Sequence, residues 1–193
     1  MAAKKNQALY QLKVTLRDID PPIWRRLQVW EDTPLAQLHR ILQVAMGWED
    51  YHLHEFHIGR RVYGVPDPDD DLNERPIIDE RRRRLRELVP QVGASFAYVY
   101  DLGDNWRHEL LLEAVVLPEP EQQYPRCLAG ERSGPPEDVG GPHGYANYLD
   151  AIVDCNHEEH ENMLEWSGPF DPESFSVAAV NRRLKKKSRR VTT

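Results

Sequence analysis

Cysteine is scarce here, with two residues, Cys127 and Cys155, in a chain of 193. They cannot build a disulfide framework, and without a C-x-x-C pair they do not make a zinc knuckle. Such usage suits a reducing compartment. Long apolar runs are missing too. Nothing approaches the roughly 18 consecutive apolar residues of a membrane span, and the opening Met1-Ala2-Ala3-Lys4-Lys5-Asn6 lacks the apolar stretch of a secretory signal. A cytoplasmic location, off the membrane, is therefore expected. Neither G-x-x-x-x-G-K nor G-x-G-x-x-G occurs, so nucleotide binding has no motif behind it. Gly140-Gly141-Pro142 ahead of a helix is too short to substitute. Internal repeats and extended low-complexity tracts are also lacking.

What is present is a composition that folds. Apolar residues make up 40% and charged residues 30%, enough for one packed core under a well-solvated surface. A net charge of −7 argues against a protein coated in basic surface, yet it hides an asymmetry. Residues 131–173 hold eleven acidic side chains and one arginine, whereas seven of the nine residues over 182–190 are lysine or arginine. A basic terminus of this kind is either a frayed helix end or a contact for nucleic acid or an acidic partner.

Tyr10, Leu12, Val14 and Leu16 alternate with Gln11, Lys13, Thr15 and Arg17, the period-two pattern of a half-buried strand. Asp20-Pro21-Pro22 forces a turn, and residues 23–30 return as the second strand of a hairpin. Thr33 reads as an N-cap with Pro34 at the first helical position. Leu35, Leu38, Leu42 and Ala45 form one helical face, and Gly47 is placed to close that helix in the left-handed conformation. His54, Phe56 and Ile58 alternate with Glu55 and His57 as a third strand, which residues 62–65 continue or pair with. Residues 67–71 read as a loop, and residues 81–86 as a basic segment near a short helix or turn. Residues 94–101 and 106–117 are two more strands with a hairpin-length connection.

Residues 118–142, rich in Pro, Gly and Glu, read as loop. Helices then take over: one over 143–153, one opened by Asn156 with Glu159 and ended by Gly168-Pro169, and one opened by Asp171-Pro172 and running into Leu184. The reading is an α+β fold with a mixed sheet, in the hairpin-helix-strands order of β-grasp (ubiquitin-like) folds, plus a C-terminal helical extension. It makes one domain over 8–186: a sheet core with one helix over 8–117, a loop over 118–142, and a helical lobe over 143–186. Residues 187–193 are expected to be a disordered basic tail.

The most informative stretch is Tyr100-Asp101-Leu102-Gly103-Asp104-Asn105-Trp106-Arg107-His108. By strand alternation Trp106, His108, Leu110 and Leu112 share the core face. The Gly, Asp and Asn residues before them suit a tight turn, because Asp and Asn side chains bond a turn's own backbone. Asp101, Asp104, Trp106 and His108 are the candidate binding cluster. A divalent metal is the one cofactor such groups suggest, with His54, Asp104 and His108 as candidate ligands. The alternative is a well-made turn with a buried histidine. His52, His54 and His57, after Trp48, form a second cluster: His52 and His54 share a strand face, a familiar metal geometry, with His57 opposite, and the alternative is a buried structural His54 beside Phe56 and Ile58.

His157-Glu158-Glu159-His160 misses the zincin pattern, which needs histidines four apart, and reads as an acidic solvated helix face. Cys127 is a lone candidate nucleophile. Arg81, Arg82, Arg83, Arg84, Lys185, Lys186 and Lys187 are the candidate nucleic-acid contacts. No catalytic residue is assigned.

Several motifs occur in a recognisable order. They are Asp20-Pro21-Pro22-Ile23-Trp24-Arg25-Arg26, residues 38–48, His52-Leu53-His54-Glu55-Phe56, residues 100–108, Pro135-Pro136-Glu137-Asp138-Val139-Gly140-Gly141, residues 157–160 and Trp166-Ser167-Gly168-Pro169-Phe170-Asp171-Pro172. Together, over residues 8–184, they resemble the plasmid pRiA4b ORF-3-like family. The resemblance implies an uncharacterised group of bacterial and archaeal proteins, some carried on plasmids or transposable elements and some labelled transposon resolvases. Neither a serine-recombinase nucleophile context nor a helix-turn-helix is visible here. The resemblance brings no catalytic residues with it. Cys155 stands where the family pattern usually reads proline, which argues against an essential role for it. The expectation is a binding or accessory module, not an enzyme, linked to plasmid or mobile-element biology and acting on a protein partner. A metal-dependent hydrolase and a nucleic-acid-binding protein are the alternatives.

Overall fold

The computed structural model describes residues 7–67 and 76–190, with the side chains of 187–190 left aside. The loop expected over 67–71 lies, beyond Asp67, outside the described residues, as do 1–6 and 191–193. The side chain of Lys187, a candidate nucleic-acid contact, falls outside them as well.

The fold is a mixed α+β arrangement of an eight-stranded sheet and five α-helices. The strands are β1 (Leu9–Leu16), β2 (Trp24–Trp30), β3 (His54–Ile58), β4 (Arg61–Gly64), β5 (Ile78–Asp79), β6 (Ser95–Tyr100), β7 (Trp106–Val116) and β8 (Arg126–Glu131). The helices are α1 (Leu35–Met46), α2 (Leu85–Leu88), α3 (Gly141–Val153), α4 (His160–Ser167) and α5 (Val177–Arg190), with a 3-10 turn over Glu80–Arg82. The order across the sheet is β5-β4-β3-β6-β7-β1-β2-β8. All pairings are antiparallel except β4 with β5.

The alternation of β1 does what its sequence dictates. Tyr10, Leu12, Val14 and Leu16 are buried on the face that also carries Leu27, Val29, Tyr98, His108 and Leu110. Helix α1 covers that face with Leu35, Leu38, Leu42 and Ala45, and α5 adds Val180 and Leu184. The opposite face is half-exposed, as antiparallel sheets allow. There Arg26 grips Glu113 through two nitrogens at 2.6 and 2.9 Å, Gln11 donates to the same carboxylate at 3.0 Å, and Lys13 lies 5.4 Å from the centre of the Trp24 ring.

Arg25 is an exception on the core face. Only 2% exposed, it donates to four carbonyls: Ala45 at 2.8 Å, Trp24 at 2.8 Å, Glu131 at 2.7 Å and Arg132 at 2.8 Å. Its guanidinium lies 4.3 Å from the centre of the Phe175 ring. Burial pulls its pKa down to about 10, so it stays charged at neutral pH. One side chain thus ties β2, the end of α1, β8 and the approach to α5.

Four expectations shift. Residues 118–142 contain a strand, β8, in place of uninterrupted loop. It pairs with β2 as an edge strand, and only Cys127 along it is fully buried. Helix α1 begins one residue late, with Pro34 at the cap position and Thr33 buried. There the chain pairs with the basic segment, Leu85 N–H bonding Thr33 O at 3.1 Å and Leu35 N–H bonding Arg83 O at 2.9 Å. Helix α4 starts at His160, because the Asp154 carboxylate takes the Asn156 N–H and His157 Nδ1 takes the Glu159 N–H, which hold residues 154–159 in turns. Helix α5 starts at Val177, where Ser176 Oγ accepts from Ala179 N–H at 3.3 Å. It continues beyond Leu184 to Arg190, since its Lys and Arg residues are good helix formers with no Gly or Pro among them.

Candidate functional site

Three connections meet where β3 begins, β6 ends and β7 begins: residues 47–53, residues 101–105 and residues 132–140. The turn over 101–105 is built by its own aspartates. Asp101 sits in the left-handed region at φ 55°, and its Oδ1 accepts from Gly103 N–H at 3.0 Å and Asp104 N–H at 3.2 Å. Asp104 turns outward, and its Oδ2 accepts from Gly140 N–H at 3.1 Å at the start of α3. The turn therefore fixes both the hairpin and the entry of the helical lobe.

Asp101 Oδ2 is left over, and it faces His52 Nε2 at 3.7 Å. Asp138 Oδ1 approaches the same nitrogen at 2.9 Å. One ligand atom from each of the three residues lies within 4.8 Å of the other two. His52 Nε2 is itself buried and lines up in a hydrogen bond with neither carboxylate. The ring of His52 stands edge-on to Tyr100 at 5.9 Å. Tyr100 is held in turn: its hydroxyl donates to Glu137 and accepts from Tyr51 N–H at 3.0 Å, and Trp48 stacks on its ring at 4.9 Å. Glu137 also takes the Glu49 N–H at 2.8 Å. Burial and the neighbouring Glu137 carboxylate push the Tyr100 pKa up, so it remains a neutral donor.

The expected ligand set does not assemble. His54 and His108 sit on β3 and β7, with β6 between them, and the Tyr98 ring lies 5.9 and 5.3 Å from the two imidazoles. His54 Nε2 is paired with Glu80 at 2.9 Å. His108 is 1% exposed, with Nδ1 3.0 Å from Trp106 O and Nε2 unpartnered. Burial drops its pKa to about 4. Trp106, also 1% exposed, lies 6.4 Å edge-on to Tyr145 of α3 and belongs to the core. Of the candidate binding and ligand residues chosen from the sequence, only Asp101 enters the group. The sequence offers His52 as half of a His-x-His metal pair with His54, which the structure does not assemble, and Asp138 only inside a family motif.

Beneath the site runs a buried polar chain. His39 stacks on His54 with ring centres 3.5 Å apart. Gln43 Nε2 donates to Tyr98 OH at 3.0 Å, so the tyrosine hydrogen goes to His39 Nδ1 at 2.7 Å. His39 then donates from Nε2 to Asp50 Oδ1 at 2.6 Å. Burial and the adjacent His54 lower its pKa to about 4, which agrees with that neutral tautomer.

The other candidates are placed as follows. Arg81 is ion-paired with Asp79 at 2.8 Å and Arg84 lies 3.5 Å from Asp32, while Arg82, Arg83, Lys185 and Lys186 are exposed. His160 Nδ1 donates to Ala151 O at 2.7 Å and joins α4 to α3, away from any ligand role. Cys127 is buried, bonded to Ala129 O at 3.4 Å, and burial raises its pKa, which describes a structural thiol rather than a nucleophile. No described helix is long and apolar enough to cross a membrane.

Comparison with known proteins agrees with this architecture. A crystal structure of a protein of unknown function, MM3350 from Methanosarcina mazei Go1, superposes with a TM-score of 0.82 at 36% identity, covering 89% of this chain and 97% of that one. An uncharacterized protein, y4hQ of Sinorhizobium fredii (strain NBRC 101917 / NGR234), is 40% identical over 175 residues, 90% of this chain and 87% of its own length. The family model described as plasmid pRiA4b ORF-3-like protein matches residues 8–179. The chain therefore belongs to the plasmid pRiA4b ORF-3-like family.

Proposed function

We propose that the chain is a non-enzymatic binding module, one domain over 8–186, whose contact surface is the loop end of the sheet. The observation that carries this reading is a set of apolar side chains held out in water on braced loops. Tyr51 is 74% exposed, Leu53 67% and Leu102 46%, while Asp101 N–H bonds Leu53 O at 2.9 Å and Tyr51 N–H bonds Tyr100 OH at 3.0 Å. Exposed apolar groups on rigid backbone favour a protein partner. The β-grasp likeness rests on the order hairpin, helix and strands along the chain, and it supports a binding role only as a fold analogy. The family's plasmid name and the unpaired cysteines support an accessory role in plasmid or mobile-element biology, in the cytoplasm.

The test is a photocrosslinking amino acid at Leu53, with Val153 on the helical lobe as the control position, since it is 82% exposed. In the native host, Leu53 should give a discrete protein adduct that Val153 does not. Equal adducts at both positions, or none at either, would reject the reading.

Nucleic-acid binding is a second reading. Helix α1 contacts both the 3-10 turn and α5, so both basic segments adjoin one helix. That reading requires an affinity that falls steeply with salt. A metal-dependent hydrolase built on Asp101, Asp104, His108 and His54 has less support, because His54, Asp104 and His108 are spent on Glu80, Gly140 and the core, which leaves Asp101 without them.

A further inference from the structure

We infer that His52, Asp101 and Asp138 form a divalent transition-metal site that fastens three connections of the chain together. The inference goes beyond the binding-module reading and stands without it. Its first support is the geometry. Around a cation at about 2.0–2.2 Å, neighbouring ligand atoms stand roughly 3.0–3.5 Å apart. His52 Nε2 is 2.9 Å from Asp138 Oδ1 and 3.7 Å from Asp101 Oδ2, and the full triangle closes within 4.8 Å. The two His52 separations bracket that spacing, so an ion needs only side-chain adjustment to sit among the three groups.

The second support is how each atom is left over from other work. Asp101 spends Oδ1 on two turn N–H groups and keeps Oδ2 free. His52 Nε2 is a buried nitrogen without a hydrogen bond, lying between two carboxylates. A buried nitrogen is ordinarily satisfied, and two carboxylates brought together disfavour each other's charge. One divalent ion meets both demands.

The third support is the bracing. Tyr100 meets the His52 ring edge-on, and its hydroxyl takes the His52 N–H at 3.4 Å. Glu137, one residue before Asp138, is anchored on Tyr100 and on Glu49 N–H. Such outer contacts hold the ligand loops in place.

The donor set selects the ion. One imidazole with two carboxylates suits Zn²⁺ or Mn²⁺ over Ca²⁺ and Mg²⁺, which take oxygen almost exclusively. Three protein ligands leave the remaining positions to water or a partner's donor group.

The test uses the full-length chain without a histidine tag, stripped with chelator, and titrated with Zn²⁺ and Mn²⁺ by calorimetry. One site per chain is expected for Zn²⁺, with a rise in melting temperature on binding. His52→Gln and Asp138→Asn should each weaken that site at least tenfold, while His157→Gln, on the helical lobe, leaves it unchanged. Asp101→Asn is a poorer probe because Asp101 also builds the turn. The metal-free melting temperature of Asp138→Asn, whose side chain is 64% exposed, should match that of the parent, so that lost binding is not lost folding. Stoichiometric binding untouched by both His52→Gln and Asp138→Asn would overturn the inference, as would the absence of a one-to-one site.

Discussion

Arg25 shows how one residue in a recognisable motif can serve structure. Its five N–H donors fan out in a plane, and four carbonyls, on β2 itself, at the end of α1 and over residues 131–132, receive them. A lysine keeps the charge but offers three donors from a single point. Arg25→Lys should leave buried carbonyls unpaired and lower stability by about 3 kcal/mol, two to three lost hydrogen bonds at roughly 1–1.5 kcal/mol each. Urea denaturation would measure it against Arg107→Lys, an exposed arginine on β7 expected to change stability by less than about 0.5 kcal/mol. An equal loss at both positions would mean that the carbonyl cage contributes nothing particular.

Elements inherit their positions from such contacts. The turn over residues 101–105 presses its backbone against the start of α3, and Gly141 is what permits the approach. A Cβ there would stand 2.4 Å from Asp104 O, and the residue's φ is 68°. Gly93 has φ 88° but nothing within 4 Å of the same position. Gly93→Ala should therefore cost only the left-handed strain, about 1 kcal/mol. Gly141→Ala adds a backbone clash and should cost at least about 2 kcal/mol, with faster amide exchange in α3 than in β6. If the two substitutions cost the same, α3 is not seated on the turn.

Not every element was equally readable. β1 and β7 are legible because one face of each is core and the other is wet, which imposes period two. α1 is legible from its apolar stripe and its closing glycine. β8 is not, because an edge strand beside a crowded core asks for something other than alternation. At Gly130 a Cβ would lie 2.6 Å from the Phe175 ring and 2.7 Å from Trp24 O, so the position needs glycine, which reads as loop. The starts of α4 and α5 moved because short polar side chains bonded the backbone locally first.

At the scale of the molecule, the candidate site was hidden for a different reason. His52, Asp101 and Asp138 come from three connections that only the strand order brings together, and sequence spacing carries no sign of that. Local alternation did place His108 toward the core, and burial there has a consequence for the whole fold. His108 and His39 both have pKa values lowered to about 4 by burial, His39 with help from His54, against 6.5 for a free imidazole. Above pH 6.5 both histidines are neutral whether the chain is folded or not, so stability is at its full value. Below 6.5 the unfolded chain takes up protons that the fold refuses, and stability falls. The fall ends near pH 4, where the folded histidines protonate too.

Each histidine accounts for a slope of up to about 1.4 kcal/mol per pH unit within that window. Denaturation curves between pH 7 and 4.5 should show stability declining as the pH drops. His108→Gln removes one titrating group and should flatten the decline by about half, even if its stability at pH 7 is lower. An unchanged slope in that variant would mean that His108 is not kept neutral by the fold, and the core face of β7 would have to admit water.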